Sequence, residues 1–149
     1  GMGTTVVGIL VIDEGVLIAH VGDSRVYRVR QGKLEQLTED HSLLNDYIKM
    51  KRLSEEEIAN FPHKNVIVRA LGMKEHVKVD TMLDKPQPGD IYVLCSDGLC
   101  GPATDKEIEE VVNTHSDLKT ATKALIDKAN SNVGPDNITA VLAKVVGVG

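Results

Sequence analysis

The 149-residue sequence contains no tryptophan, one phenylalanine (Phe61) and three tyrosines (Tyr27, Tyr47 and Tyr92). Its core must therefore be aliphatic, built of valine, isoleucine, leucine and alanine. Only two cysteines occur, Cys95 and Cys100, too few for a disulfide framework and not spaced as a zinc site. Positive charge is in deficit, 17 Lys plus Arg against 22 Asp plus Glu for a net charge of −5. That balance disfavours a general nucleic-acid binder, whose phosphate contacts call for a basic excess. No apolar run is long enough to span a membrane, and no basic stretch leads into an apolar one as in a secretory leader. A soluble, cytoplasmic, single domain over residues 1–149 is expected. With 42% hydrophobic and 26% charged residues, whole-chain disorder is excluded.

The patterning that is present alternates between sheet and helix. Thr4 to Ile12 and Val16 to Val21 are β-branched and aliphatic runs separated by Asp13-Glu14-Gly15, which reads as a hairpin. Arg25 to Arg30 interleaves valines with arginines and predicts a third, more exposed strand of an antiparallel meander. Leu43, Leu44, Tyr47 and Ile48 fall on one helical face. Ser54 with Glu57 and Thr104 with Glu107 have the spacing of capping boxes, each opening a helix. Val66 to Leu71 and Val77 to Met82 read as strands. Ile91 to Cys95 is a continuous apolar strand of the kind covered on both faces. A helix is expected around Leu118, Ala121, Leu125 and Ala129, then an interior strand within Asn137 to Val146. The class is α+β. No glycine-rich phosphate loop opens a helix, so a nucleotide-binding fold is not supported.

Three turns carry aspartate: Gly22-Asp23-Ser24-Arg25, Ser96-Asp97-Gly98-Leu99 and Gly134-Pro135-Asp136-Asn137. Each residue type is what a turn demands, so any one of these turns alone reads as structural. Asp97 and Asp136 differ in adjoining apolar strands that would hold them rigidly. If those strands are neighbours, two carboxylates converge at one sheet edge, an arrangement suited to a hard cation such as Mg²⁺ or Mn²⁺. The five histidines are scattered without zinc-site spacing. No serine or cysteine sits in a nucleophile-elbow context, and no catalytic side chain is identified. Cys95 reads as a small core residue and Cys100 as a bystander.

In order along the chain, Met2-Gly3-Thr4-Thr5, Val21-Gly22-Asp23-Ser24-Arg25, Leu37 to Ser42, Arg69 to Gly72, Pro88-Gly89-Asp90, Leu94 to Leu99 and Gly134 to Thr139 resemble bacterial protein phosphatases of the 2C type. The resemblance covers essentially the whole chain. It implies an antiparallel β-sandwich flanked by helices, an α-β-β-α arrangement. It also implies phosphoserine and phosphothreonine hydrolysis in proteins, with two Mg²⁺ or Mn²⁺ ions holding a water for in-line attack. Asp97 and Asp136 match metal ligands of that family. Gly22, Asp23, Ser24, Arg25, Gly98 and Asn137 match its signature positions, with Asp23 and Arg25 in a mainly structural role. Residues 44–65 correspond to a flap beside the active site that influences substrate choice.

The departures from the family are as informative. The family's upstream acidic residue, its Asp-Gly-x-Gly-Gly turn and its phosphate-binding arginine have no counterparts here, so the chain resembles the C-terminal part of the domain, truncated on its N-terminal side. Gly101 stands where the family often places an acidic residue that helps a third ion. Weak Mn²⁺ binding, poor or absent turnover by this chain alone, and self-association through bared surfaces are the expectations. The alternative is a non-catalytic, phosphatase-like interaction module. The expected partner is a phosphoprotein substrate, with neither nucleic acid nor membrane.

Overall fold

The computed structural model describes residues 1–133 and 137–149. Two antiparallel sheets face each other. The first has the order β1-β2-β5, formed by Val6–Ile12, Gly15–Val21 and Asp80–Asp84. The second has the order β4-β3-β6-β7, formed by Lys33–Gln36, Arg25–Arg30, Ile91–Cys95 and Ala140–Lys144. Helices α1 (Leu43–Lys51) and α2 (Glu55–Ala59) lie in the connection before β5. The short α3 (Asp97–Cys100), α4 (Asp105–Thr114) and α5 (Leu118–Val133) lie between β6 and β7. The expected α+β sandwich of antiparallel sheets with helices is present. Among the described residues no helix is long and apolar enough to cross a membrane.

Alternation along the strands builds two cores. Val16 and Ile18 of β2 meet Val26 of β3 and Tyr92 of β6 between the sheets. Tyr27, Val29, Val93 and Cys95 point the other way and meet Ile108 and Val112 of α4 and Leu125 and Ala129 of α5. Helix α4 is held at its start by the full capping box of Thr104 and Glu107, and α2 by that of Ser54 and Glu57. A polar tie also crosses the inter-sheet layer. Arg28 donates to Asp84, and Tyr92 Oη donates to the other carboxylate oxygen at 2.6 Å. Burial first, then this bond to Asp84, pushes the Tyr92 phenol well above its ordinary range.

Several expectations are corrected. The chain does not continue as a meander after β2: it crosses to the second sheet at Gly22-Asp23-Ser24, so β3 pairs with β4 and β6. Strand β3 is central and has no exposed residue, because Arg25, Arg28 and Arg30 are neutralised by Asp40, Asp84 and Asp90. The arginines thus read as surface residues in the sequence while lying at carboxylate partners supplied from far along the chain. Val66 to Leu71 is not a strand; it makes only isolated bridges, Ser42 to Ile67 and Thr4 to Leu71. The strand expected at Val77 to Met82 runs instead over β5, beginning at Asp80. Strand β7 is an edge of its sheet, not interior, and Val141 is 53% exposed.

Candidate metal centre

Strand β6 delivers Asp97. Its last residue, Cys95, is buried in the helix-side core, and α3 begins two residues later, leaving the Asp97 side chain exposed. Strand β7 lies directly beside β6, Cys95 opposite Ala140. The turn before α3 is clamped to the segment entering β7 by reciprocal bonds. Ser96 N–H donates to Thr139 O, and Thr139 N–H donates to Ser96 Oγ, both at 3.0 Å. Gly98 lies so close to that segment that an added Cβ would sit 2.1 Å from the Asn137 carbonyl oxygen. Only a residue without a side chain permits this approach. The Asp97 turn and the Asn137–Thr139 segment that enters β7 are therefore held together at adjoining strand ends. Asn137, an exposed residue, lies against the Asp97 turn; Asp136 itself lies outside the described residues.

The crossover turn stands beside Asp97. Gly22 has φ +113°, and a Cβ there would meet Thr5 Cγ2 at 2.4 Å. Ser24 Oγ and Thr5 Oγ1 share a hydrogen bond of 2.9 Å. Arg25 grips Asp40 with two nitrogens, Nε to Oδ1 at 2.9 Å and Nη2 to Oδ2 at 2.6 Å. The Asp23 carboxyl is held above the usual carboxylate range, first by burial and then by the negative charge of Asp97. A cation at Asp97 would relieve that repulsion. The sequence gives no warning that Asp23 and Asp97, 74 positions apart, share one field.

A second cluster of ligand-type atoms was also missed by the sequence reading: His20, His41 and Asp80 converge with their rings and carboxylate close together. The His20 and His41 rings stack with centroids 4.5 Å apart. Its hydrogen bonds close it to a metal. His41 Nδ1 accepts the Gly22 N–H at 2.9 Å, so the ring proton must sit on Nε2, where it donates to Asp80 Oδ2 at 2.8 Å. His20 Nε2 donates to the Glu39 carbonyl oxygen at 2.8 Å. Arg69 Nη1 donates to the other Asp80 oxygen at 2.9 Å. Burial is the largest influence on His41 and lowers its basicity, with Arg69 acting in the same direction against the bond to Asp80. His41 and Arg69 hold the Asp80 carboxyl down at about 2. The cluster is a relay that fixes the Gly22 turn. The donor set that fits a hard cation is the carboxylate oxygen of Asp97, beside the half-buried Asp23, rather than this one.

The chain is similar to the protein phosphatase 2C family, whose profile matches residues 1–57. Among curated relatives it is similar to the serine/threonine phosphatase stp of Listeria monocytogenes, 42% identical over 144 residues and 97% of this chain. Among solved structures it resembles the serine/threonine phosphatase PstP/Ppp of Mycobacterium tuberculosis, with TM-score 0.91, 35% identity and 99% of this chain covered. It also resembles a PstP catalytic domain in complex with two manganese ions, with TM-score 0.82, 35% identity and 99% of this chain covered. The chain spans 57% of the Listeria relative and 62% and 60% of the two structures.

Proposed function

We propose that this chain is part of a metal-dependent protein phosphatase that removes phosphate from phosphoserine and phosphothreonine in proteins. The observation that carries the reading is the clamp between the Asp97 turn and the segment Asn137–Thr139 at the adjoining ends of β6 and β7. In this reading Asp97 and Asp136 supply carboxylate oxygens to Mg²⁺ or Mn²⁺. When bound, such ions lower the pKa of water and neutralise charge at phosphorus. The chain's own contribution is positional. Strand β6 fixes Asp97, Gly98 lets the Asn137–Thr139 segment approach, and Ser96 with Thr139 keeps the two in register. Two carboxylates leave most of an octahedral shell to water or to residues beyond these 149, so we expect the isolated chain to bind the ion weakly and turn over little.

Residues 44–65 serve in this reading as a substrate-selecting flap. The absence of any buried residue in α1 or α2 supports a surface element free to differ with substrate. We also propose that the uncovered outer face of the β1-β2-β5 sheet leads to self-association.

Manganese titration followed by calorimetry tests the metal reading. The chain should bind Mn²⁺ weakly and Asp97→Asn should bind it several-fold more weakly still; equal binding by the two proteins overturns the assignment. Brisk Mn²⁺-dependent hydrolysis of a phosphothreonine peptide by this chain alone, lost in Asp97→Asn, would overturn the expected impairment.

A further inference from the structure

The segment that enters β5 is basic in an acidic molecule. Between His63 and Val79 stand four basic residues, Lys64, Arg69, Lys74 and Lys78, and one acidic residue, Glu75, in a chain of net charge −5. Arg69, Lys74, His76 and Lys78 gather around one cavity of about 300 Å³, with Val68 and Met73 in its wall. Glu75 does not line it. Lys74, His76 and Lys78 are exposed, and their side chains have no carboxylate partner among the described residues. One nitrogen of Arg69 serves the fold: Nη1 donates to Asp80 Oδ1 at 2.9 Å and to the Lys78 carbonyl oxygen at 3.1 Å. Its Nε and Nη2 meet no acceptor among the described residues. The backbone beneath these cations is braced. Leu71 and Thr4 exchange backbone bonds of 2.9 and 3.0 Å. Gly72 has φ +92°, and a Cβ there would lie 2.1 Å from the Met2 carbonyl oxygen. The donors are thus held together before any anion arrives, which lowers the ordering cost of binding one.

We propose that this pocket is a phosphate-binding site, separate from the Asp97 edge, that takes the phosphate monoester of a phosphorylated peptide. Such a group carries about two negative charges near neutral pH and three strong acceptor oxygens. With Asp80 already balancing Arg69, the two unpaired lysines match a dianion. The free Nε–Nη2 edge of Arg69 is a fork for two of the oxygens. Lys74, Lys78 and the His76 ring supply donors for the rest. A carboxylate, with one charge and two oxygens, would leave most of these groups unmatched. The site lies at the end of the sandwich that carries Asp97. Asp80, the first residue of β5, pairs with His20 at the end of β2, and the crossover from there passes Asp23, which feels the charge of Asp97. A protein held here by one phosphate keeps its neighbouring residues near that end. This use of the site rests on the reading of Asp97 given above; the phosphate site itself does not.

The test titrates the whole chain, in EDTA so that no metal contributes, into a fluorescein-labelled peptide carrying one phosphothreonine, followed by anisotropy. The phosphopeptide should bind, more weakly as salt rises, and its unphosphorylated counterpart at least about tenfold less tightly. Lys74→Glu/Lys78→Glu should weaken phosphopeptide binding by about tenfold or more, with Lys74→Gln/Lys78→Gln in between. Neither lysine side chain is paired within the fold, so both variants should remain folded, and Lys119→Glu on α5 should bind as the parent does. No binding by the parent, equal binding of the two peptides, or equal binding by parent and lysine variants overturns the proposal. Inorganic phosphate should displace the peptide only at far higher concentration; displacement at the peptide's own concentration would overturn the assignment to a peptide and leave a site for free phosphate. Mn²⁺ calorimetry on the same proteins separates this site from the metal edge. Lys74→Glu/Lys78→Glu should bind Mn²⁺ as the parent does, and a parent that holds the phosphopeptide but no Mn²⁺ would support this site while overturning the metal reading.

Discussion

The outer faces of the two sheets are made of similar aliphatic strands and have opposite surroundings. On the four-stranded sheet, Val93 and Cys95 are sealed under Ile108 and Val112 of α4 and Leu125 of α5, each of the three at most 3% exposed. On the three-stranded sheet, Val6 and Leu10 of β1 and Leu83 of β5 stand 46%, 59% and 45% exposed. Burying one such side chain fully is worth about 1.5–3 kcal/mol. Stability is therefore concentrated on the side that carries the Asp97 turn. The other side keeps its apolar surface available for association. Strand periodicity reveals which residues are apolar, whereas coverage depends on where helices from distant sequence come to rest.

The largest effect should come from breaking the covered face. Leu125→Ala leaves a cavity under the second sheet and should destabilise by about 2–5 kcal/mol in urea unfolding; a loss below that range would mean the helix layer is looser than its burial indicates. Next comes the crossover that joins the two sheets. Gly22→Ala forces a side chain into positive φ and against Thr5, and should cost about 1–3 kcal/mol while perturbing the His41 relay.

The pH dependence is smaller and follows the same relay. Folded His41 resists a proton that the unfolded chain accepts near 6.5, so stability should fall as pH drops through that value. Asp80 acts further down. Its folded value of about 2 against 3.8 unfolded gives stability that is full above pH 4 and lost as pH falls towards 2. Thermal unfolding between pH 8 and 3 checks both, and a midpoint flat from pH 7.5 to 5.5 would refute the His41 part. The smallest change in folding is expected on the bare face. Leu10→Ser should stay within about 0.5 kcal/mol of the parent, yet reduce self-association in sedimentation velocity.

Much of this was legible locally. The hairpin of β1 and β2, both capping boxes, the apolar strand ending in Cys95 and the amphipathic α4 and α5 follow from spacing and cap chemistry within a few residues. What failed depended on remote partners. Arg25, Arg28 and Arg30 made β3 look solvent-facing because Asp40, Asp84 and Asp90 are brought to them only by the fold. Val66 to Leu71 has strand composition but finds only single bridges. At the site, the pairing of β6 with β7 met the condition set for Asp97 and Asp136 to converge, while Asp136 itself lies outside the described residues. The field that Asp97 exerts on Asp23, and the stacking of His20 on His41, left no periodic trace in the sequence.

The order β4-β3-β6-β7 also bears on how the molecule assembles. The pairs β1-β2 and β3-β4 are closed by short turns. By contrast, β3 must find β6 some sixty residues later, and β6 must wait for β7 beyond three helices. Loop closure of that length is slow compared with hairpin formation. The Ser96–Thr139 clamp is therefore among the last contacts to be made during refolding. Pulsed hydrogen exchange should find the amides of Ser96 and Thr139 protected after those of the first hairpin. A newly made chain would pass through a compact stage, with hairpins formed, before it has the edge at which we propose metal to bind.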